Sequence, residues 1–193
     1  MFNTNGENFM IIDQFIKDTL MRQDSQLKGL ITNLNENDIY WQPTSESNSI
    51  GWIIWHMIRV EDMWIQFFSR KQTELWESEN WYVRFDLPKR ETGFQHTPEQ
   101  VSDFPHLPIK SVLEYGDAVR NNTLAYLQGL QNEDFYSTPW SDKPNMWWHD
   151  FSIINMFNQL LGELYQHLGQ IAYISGLKNG FDAVPSEYGT PRA

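Results

Sequence analysis

The chain has 193 residues and contains no cysteine. Without cysteine it cannot form a disulfide, use a thiolate of its own as a nucleophile, or build a zinc site from thiolate ligands. Any thiol chemistry would therefore need a thiol that enters from solution as a co-reactant.

Positive charge is scarce as well. The chain has 14 lysine and arginine residues against 25 aspartate and glutamate residues, which gives a formal net charge of −11. No basic stripe stands out, and an acidic surface repels a phosphate backbone. Nucleic acid is therefore not an expected partner.

Long hydrophobic runs are also missing. No apolar stretch approaches the ~20 residues that span a bilayer. The first residues, Met1 to Asn8, lack the basic and then apolar pattern of a secretory signal peptide. We therefore expect a cytoplasmic protein with no membrane segment.

Aromatic residues, by contrast, are abundant, with nine tryptophans, twelve phenylalanines and eight tyrosines. Hydrophobic residues at 40% and charged residues at 20% predict a globular chain, and the length suits a single domain over residues 1–193. Two tryptophan groups, Trp76 with Trp81 and Trp140 with Trp147 and Trp148, have two interpretations. They either cap the ends of a helical core or wall an apolar substrate pocket.

Four long segments carry helical periodicity, whereas strand signals are weak throughout. The predicted helices cover residues 7–34, 49–69, 109–130 and 151–178, and Ser47 or Asn48 is the predicted N-cap of the second. We therefore predict an all-α, four-helix bundle with either up-and-down or crossover connections. Residues 71–108 form a long irregular connection, with one capped helical turn at Thr97. Connections of this length usually have a function or cover something.

Three polar residues interrupt two of these apolar helices. Glu163 and His167 are four residues apart and share one helix face, and His56 lies in the second helix. If the three meet, they supply the ligands of an open catalytic metal site.

Glu163 also belongs to a stripe that should face the core: Met156, Leu160, Glu163, His167, Ile171 and Ile174. A buried carboxylate without a partner costs several kcal/mol, so it should have a cation, a metal or a proton. Two plainer interpretations stay open, namely a structural Glu–His pair and a hydrogen-bonded core histidine at His56.

The remaining histidines and the common catalytic motifs give little further evidence for a functional site. His96, His106 and His149 fall in loops and are expected to be solvated, although His149 is close enough to the fourth helix to line a pocket mouth. Neither the His-Glu-x-x-His zinc motif nor the ligand set of a di-iron bundle occurs. No glycine-rich phosphate loop or serine-based triad signature is present either.

Two stretches resemble the motif regions of the DinB/YfiT-like metalloenzymes. They are Asn48-Ser-Ile-Gly-Trp-Ile-Ile-Trp-His56-Met-Ile-Arg-Val-Glu-Asp62 and Glu163-Leu-Tyr-Gln-His167-Leu-Gly-Gln-Ile. The resemblance implies a four-helix bundle, often a homodimer, with a divalent metal such as zinc or nickel held by His56, Glu163 and His167. Many members have histidine where this chain has Glu163. The His–Glu–His set is that of the mycothiol-dependent maleylpyruvate isomerase branch.

The family also implies chemistry that uses a low-molecular-weight thiol, such as bacillithiol or mycothiol. We therefore expect a metal-dependent S-transferase or isomerase that acts on a small apolar electrophile, or a hydrolase if water replaces the thiol. The alternative is a non-catalytic helical bundle that binds a small ligand or serves as a dimeric interaction protein.

Overall fold

The computed structural model of the chain describes residues 11–180, and within them every regular element is helical. The all-α prediction is confirmed. The helices are α1 Ile11–Ile31, α2 Glu36–Ile39, α3 Ile50–Asp62, α4 Leu75–Ser78, α5 Trp81–Phe85, α6 Pro98–Ser102, α7 Ile109–Gly129 and α8 Ile153–Asn179. A π-helical segment, Met63–Ser69, continues α3, and a 3₁₀ turn spans Asp134–Tyr136. The predicted start of the first helix, residues 7–10, lies outside the described residues.

The long helices α1, α3, α7 and α8 pack side by side. Helices α3 and α7 run in the same direction. Arg59 in the last turn of α3 bonds Tyr115, and Ser69 at the end of the π-helical segment bonds Tyr126, which is further along α7. Helix α8 runs antiparallel to α3. No helix among the described residues is both long and apolar enough to cross a membrane.

The parallel pair α3 and α7 requires a chain that returns along the length of the bundle between them. Residues 70–108 make this return, which is the crossover form of the two predicted connections. The segment contains α4, α5 and α6 and is therefore less irregular than predicted. Helices of four or five residues are too short to leave a periodic pattern in a sequence. The predicted capping box at Thr97 is confirmed at the start of α6.

Helix α3 is buried along its whole length, Ile50 to Asp62. Its N-cap is Ser49, whose hydroxyl accepts from the Trp52 N–H at 3.2 Å, so the prediction of Ser47 or Asn48 is wrong by two residues or one. Ser49 is the last residue with extended backbone before the helix, which is the geometry that a cap requires.

The charged residues of α3 are neutralised inside the protein. Asp62 is fully buried and accepts hydrogen bonds from the N–H groups of Leu75 and Trp76 at 3.0 and 2.8 Å and from the Tyr115 hydroxyl at 2.6 Å. Arg59 donates to Asp62 at 3.2 Å and to Glu74 at 2.5 Å. Burial raises the pKa of Asp62, and these bonds oppose that rise. These hydrogen bonds hold residues 74–76, at the start of the crossover, against α3.

Candidate metal site

The structure brings His56, Glu163 and His167 together. Each offers one ligand atom, and these three atoms lie within 4.8 Å of one another. The imidazole rings of His56 and His167 are nearly perpendicular, with centroids 4.9 Å apart. Oε2 of Glu163 is 3.5 Å from Nε2 of His167. The antiparallel packing of α3 against α8 creates this arrangement.

A main-chain carbonyl fixes the orientation of the His56 ring. Nδ1 of His56 lies 2.5 Å from the carbonyl oxygen of Thr92. Because a carbonyl only accepts, Nδ1 must carry the hydrogen, and the lone pair of the neutral ring is then on Nε2. The ring is 7% exposed, so this orientation is held within the protein.

His167 is oriented in the same way. Its Nδ1 donates to Oε1 of Gln170 at 2.9 Å, which again leaves the lone pair on Nε2. Metal-binding histidines usually donate their second ring N–H to a carbonyl or carboxylate oxygen, and this bond sets the tautomer that binds. Both histidines of the site meet that condition.

The protonation state of His56 also suits metal binding. Burial lowers the pKa of His56 to about 4; the nearby His167, His96 and Arg59 lower it further, and the hydrogen bond to Thr92 opposes the shift. The ring is therefore neutral near pH 7, as a ligand must be.

Glu163 is less buried than the sequence predicts. Its side chain is 30% exposed and that of His167 is 13% exposed, whereas the rest of the predicted stripe is buried. Glu163 lies at the edge of the helix face that packs on α3, where Gln159 donates to its Oε1 at 3.3 Å. A carboxylate this exposed does not require a buried partner. The inference from burial is therefore wrong, although the three residues do meet.

Residues 91–96 of the crossover lie against α3 beside His56, and we call this segment the strap. Nε of Arg59 donates to the carbonyl of Glu91 at 2.9 Å, and the next carbonyl along the chain, that of Thr92, accepts from His56. Gly93 follows with φ of +78°, and a Cβ there would lie 2.7 Å from the Trp52 ring. The strap thus lies closer to α3 than it could if residue 93 carried a side chain.

His96 at the end of the strap is not the solvated loop residue that the sequence predicts. Its side chain is 8% exposed; Nε2 donates to Glu91 at 2.9 Å and Nδ1 accepts from the Trp52 indole at 3.3 Å. Trp52 in turn stacks on His56 with centroids 4.8 Å apart. Sequence reasoning missed Trp52 and the strap because a non-periodic segment carries no signal of what it packs against. The i, i+4 spacing of Trp52 and His56 was the available clue.

The other predicted histidines do not join the site. His106 is exposed and stacks on Tyr40 at 4.1 Å, as expected for a loop residue. His149 bonds only the carbonyl of Met146 among its described contacts, at 2.9 Å, before α8 begins.

Four of the five tryptophans in the predicted groups pack on the core, whereas Trp147 is 65% exposed. Trp140 and Trp148 pack around Phe67 and Phe68. Phe68 is twelve residues along the helix from His56, a rise of roughly 18 Å. Trp76 and Trp81 of the crossover pack on Phe85 and on Tyr115 of α7. The structure favours the end-capping interpretation over the substrate-pocket one.

The donor set fits a divalent transition metal. Two imidazole nitrogens and one carboxylate oxygen suit zinc or nickel better than calcium or magnesium, which prefer oxygen ligands. Three protein ligands also leave at least one coordination position for a water molecule or a substrate atom. The ligand types and the orientation of both imidazole rings are therefore both compatible with a divalent transition metal.

Comparison with known proteins gives a family and a fold. The family model of the DinB superfamily matches residues 19–171 of this chain. The crystal structure of a conserved protein from Enterococcus faecalis is similar, with a TM-score of 0.73 and 21% sequence identity over 86% of this chain and 96% of that one. At this identity the likeness concerns the fold alone. No curated protein matches the chain.

Proposed function

Because the chain belongs to the DinB superfamily, we propose that His56, Glu163 and His167 hold one divalent metal ion, zinc or nickel, in a catalytic site. The observation that carries the proposal is the convergence of three ligand atoms within 4.8 Å while both Nδ1 atoms are bonded elsewhere. A purely structural Glu–His pair would not need a ring nitrogen of His56 within 4.8 Å of both other ligand atoms.

The partial exposure of Glu163 and His167 supports a site that small molecules can reach. His56 anchors the site from the buried side, and the two residues of α8 border solvent at 30% and 13% exposure. A bound ion would supply a Lewis acid that lowers the pKa of a thiol or water at the open position. Glu163 in place of a third imidazole makes that effect smaller, because its negative charge offsets part of the ion's charge.

We extend the proposal to a thiol-dependent transferase or isomerase. In the transfer, the sulfur of an external thiol forms a bond to an electrophilic carbon. The leaving group departs with its electron pair, and the thiol proton passes to solvent. The family resemblance supports this class, and the chain itself contains no cysteine that could serve as the thiol. Bacillithiol and mycothiol are the thiols that the resemblance suggests, and the cytoplasm is where they would be met.

Metal binding is tested first. Protein purified without chelator should contain about one ion per chain by elemental analysis, and calorimetric titration of metal-free protein with zinc or nickel should give the same stoichiometry. His56→Ala, Glu163→Ala and His167→Ala should each lose most of this binding. His149→Ala removes a histidine outside the site and should keep it. A wild type that binds neither metal at stoichiometric level would refute the proposal.

Activity is tested separately. Metal-loaded protein is incubated with bacillithiol, mycothiol or glutathione and with 1-chloro-2,4-dinitrobenzene as the electrophile, and adduct formation is followed by absorbance. We expect a rate above the uncatalysed reaction with at least one thiol, and its loss in His167→Ala. Metal binding without turnover across a wider electrophile panel would favour the non-catalytic alternative. The homodimer that the resemblance implies is also part of the proposal.

A further inference from the structure

The outward side of α8 has unusually little charge. Over Ile153–Asn179, all of which the structure describes, the only charged residues are Glu163 at the candidate site and Lys178 at the end. At the chain average of 20% charged residues, a helix of 27 residues would carry about five charged side chains. The outward residues are instead amides, tyrosines and glycines. Exposed helix faces are normally charged, so this composition indicates a covered surface.

Three glycines recur on this side at intervals of seven residues, at Gly162, Gly169 and Gly176. Seven residues are nearly two helical turns, so the three lie along one line. A Cβ at Gly162 or Gly169 would meet nothing within 4 Å. Packing among residues 11–180 therefore does not explain these two glycines, which each cost helix stability relative to alanine. A glycine line does let a second helix approach closely.

Exposed aromatic side chains flank the glycine line. We define the outer face of α8 as Asn158, Gly162, Tyr165, Gly169, Tyr173 and Gly176. Tyr165 is 38% exposed and Tyr173 is 68% exposed. Beside Asn158 an apolar groove of about 280 Å³ separates α8 from α1, and Phe15 on its rim is 63% exposed. The glycines leave hollows between the projecting tyrosine rings, so the hollows of one such face can accept the rings of another.

The net charge of the chain indicates what kind of partner packs on the outer face of α8. Two molecules that each carry −11 repel one another over most of their surfaces. A charge-free face is where two such molecules can meet at the lowest electrostatic cost, whereas a basic partner would prefer the acidic remainder. The face from Asn155 to Leu177 is roughly 33 Å long. Together with the groove and the adjoining edge of α1 it is about two helices wide, which gives on the order of 700 Å² per copy. Stable interfaces bury about 800 Å² per partner.

We propose that a second copy of this chain docks on the outer face of α8, with the two α8 helices packed against each other across a two-fold axis near Gly169. In such a pairing each tyrosine ring fits over the glycine line of the opposite helix. The inference deepens the homodimer proposed above by assigning its surface. It does not depend on a bound metal, because the glycine line lies on a different side of α8 from Glu163 and His167.

The mass of the protein in solution tests the surface directly. Light scattering after size exclusion should give twice the 22.9 kDa chain mass for the wild type. Gly169→Glu should give the mass of one chain, because it places a carboxylate in each helix where they meet. Gly129→Glu on α7 is the matched control, since that glycine also has no neighbour within 4 Å, and it should stay dimeric.

Circular dichroism and metal stoichiometry establish that the variants remain folded. Should Gly169→Glu not fold, Tyr173→Lys at an exposed position takes its place with the same expected mass. A wild type with the mass of one chain overturns the homodimer altogether. A Gly169→Glu protein that remains dimeric overturns this surface while leaving the homodimer standing.

Crosslinking locates the axis. Because the chain has no cysteine, Gly169→Cys introduces a single thiol per molecule. Copper–phenanthroline with dioxygen as the electron acceptor oxidises two such thiols to a disulfide only where their Cα atoms come within about 7 Å. We expect a covalent dimer for Gly169→Cys and none for Gly129→Cys. The reverse pattern would contradict the proposed face, and metal titration of the same samples keeps this result separate from the metal site.

Discussion

The carbonyl oxygen of Thr92 accepts a hydrogen bond from Nδ1 of His56, a residue 36 positions earlier in the chain. This contact joins the crossover to the buried helix at the candidate metal site. Arg59, one turn further along α3, bonds the adjacent carbonyl of Glu91 at 2.9 Å. Two successive carbonyls of the strap are therefore fixed by two side chains of α3, and the position of the strap determines the orientation of the imidazole.

The tautomer of His56 can be measured. Nitrogen-15 NMR of metal-free protein at neutral pH should show a protonated Nδ1 and an unprotonated Nε2, because Thr92 can only accept. Added zinc should shift the Nε2 resonances of His56 and His167 and leave the Nδ1 protons in place. A His56 ring protonated on Nε2 would contradict the proposed ligand geometry.

Gly93→Ala should destabilise the protein and weaken metal binding. The new Cβ would lie 2.7 Å from the Trp52 ring and 3.1 Å from Nδ1 of His56, at a backbone φ of +78°. Strain of this kind costs about 1–3 kcal/mol, and a displaced orienting contact lowers metal affinity by about 10- to 100-fold. Urea unfolding and calorimetric titration measure the two effects. Gly129→Ala, with open space around it, should change neither by much; equal effects in both variants would argue against a specific role of the strap.

Asp62→Ala should be among the most destabilising single substitutions. It removes the acceptor for two backbone N–H groups and the Tyr115 hydroxyl, and it leaves the buried charge of Arg59 with Glu74 alone. Breaking a buried ion pair costs about 3–5 kcal/mol, against at most ~1 kcal/mol for an exposed one. Glu114→Ala breaks the exposed pair with Arg84 and serves as the control. Urea unfolding that finds similar losses for the two would refute this ranking.

The metal-free protein should lose stability as the pH falls from 6.5 toward 4. The pKa of His56 is about 4 in the folded protein and 6.5 in the unfolded chain, so the unfolded chain binds more protons in this window. The contribution of the neutral His56 ring to the free energy of unfolding is complete above pH 6.5. It is lost as the pH falls through the folded pKa, at a cost of about 3 kcal/mol. His56→Gln, whose amide N–H can still donate to Thr92, should flatten this part of the curve of unfolding free energy against pH. An unchanged slope would mean that other groups set the acid limit.

Much of the fold could be predicted because helical periodicity is a local property of the sequence. The apolar patterns predicted α1, α7, α8 and the continuous run of α3 with its π-helical segment to within a few residues at each described end. The short helices of the crossover were missed, apart from the capped turn at Thr97, because four or five residues do not complete a periodic pattern. The sequence left open whether the bundle has an up-and-down or a crossover connection, since the direction of α7 depends on what it packs against.

The sequence by itself determined that Glu163 and His167 share one face of α8, because helix geometry sets the positions of residues four apart. The sequence also placed His56 in an apolar helix, and the motif resemblance implied that it is the third ligand, but only the packing of α3 against α8 decided that the three residues meet. Tertiary structure also decided that Glu163 lies at the edge of the buried face rather than inside it. Thr92 and Gly93 left no sequence signal of their role, because a carbonyl oxygen and a missing Cβ act through position, and position comes from long-range packing.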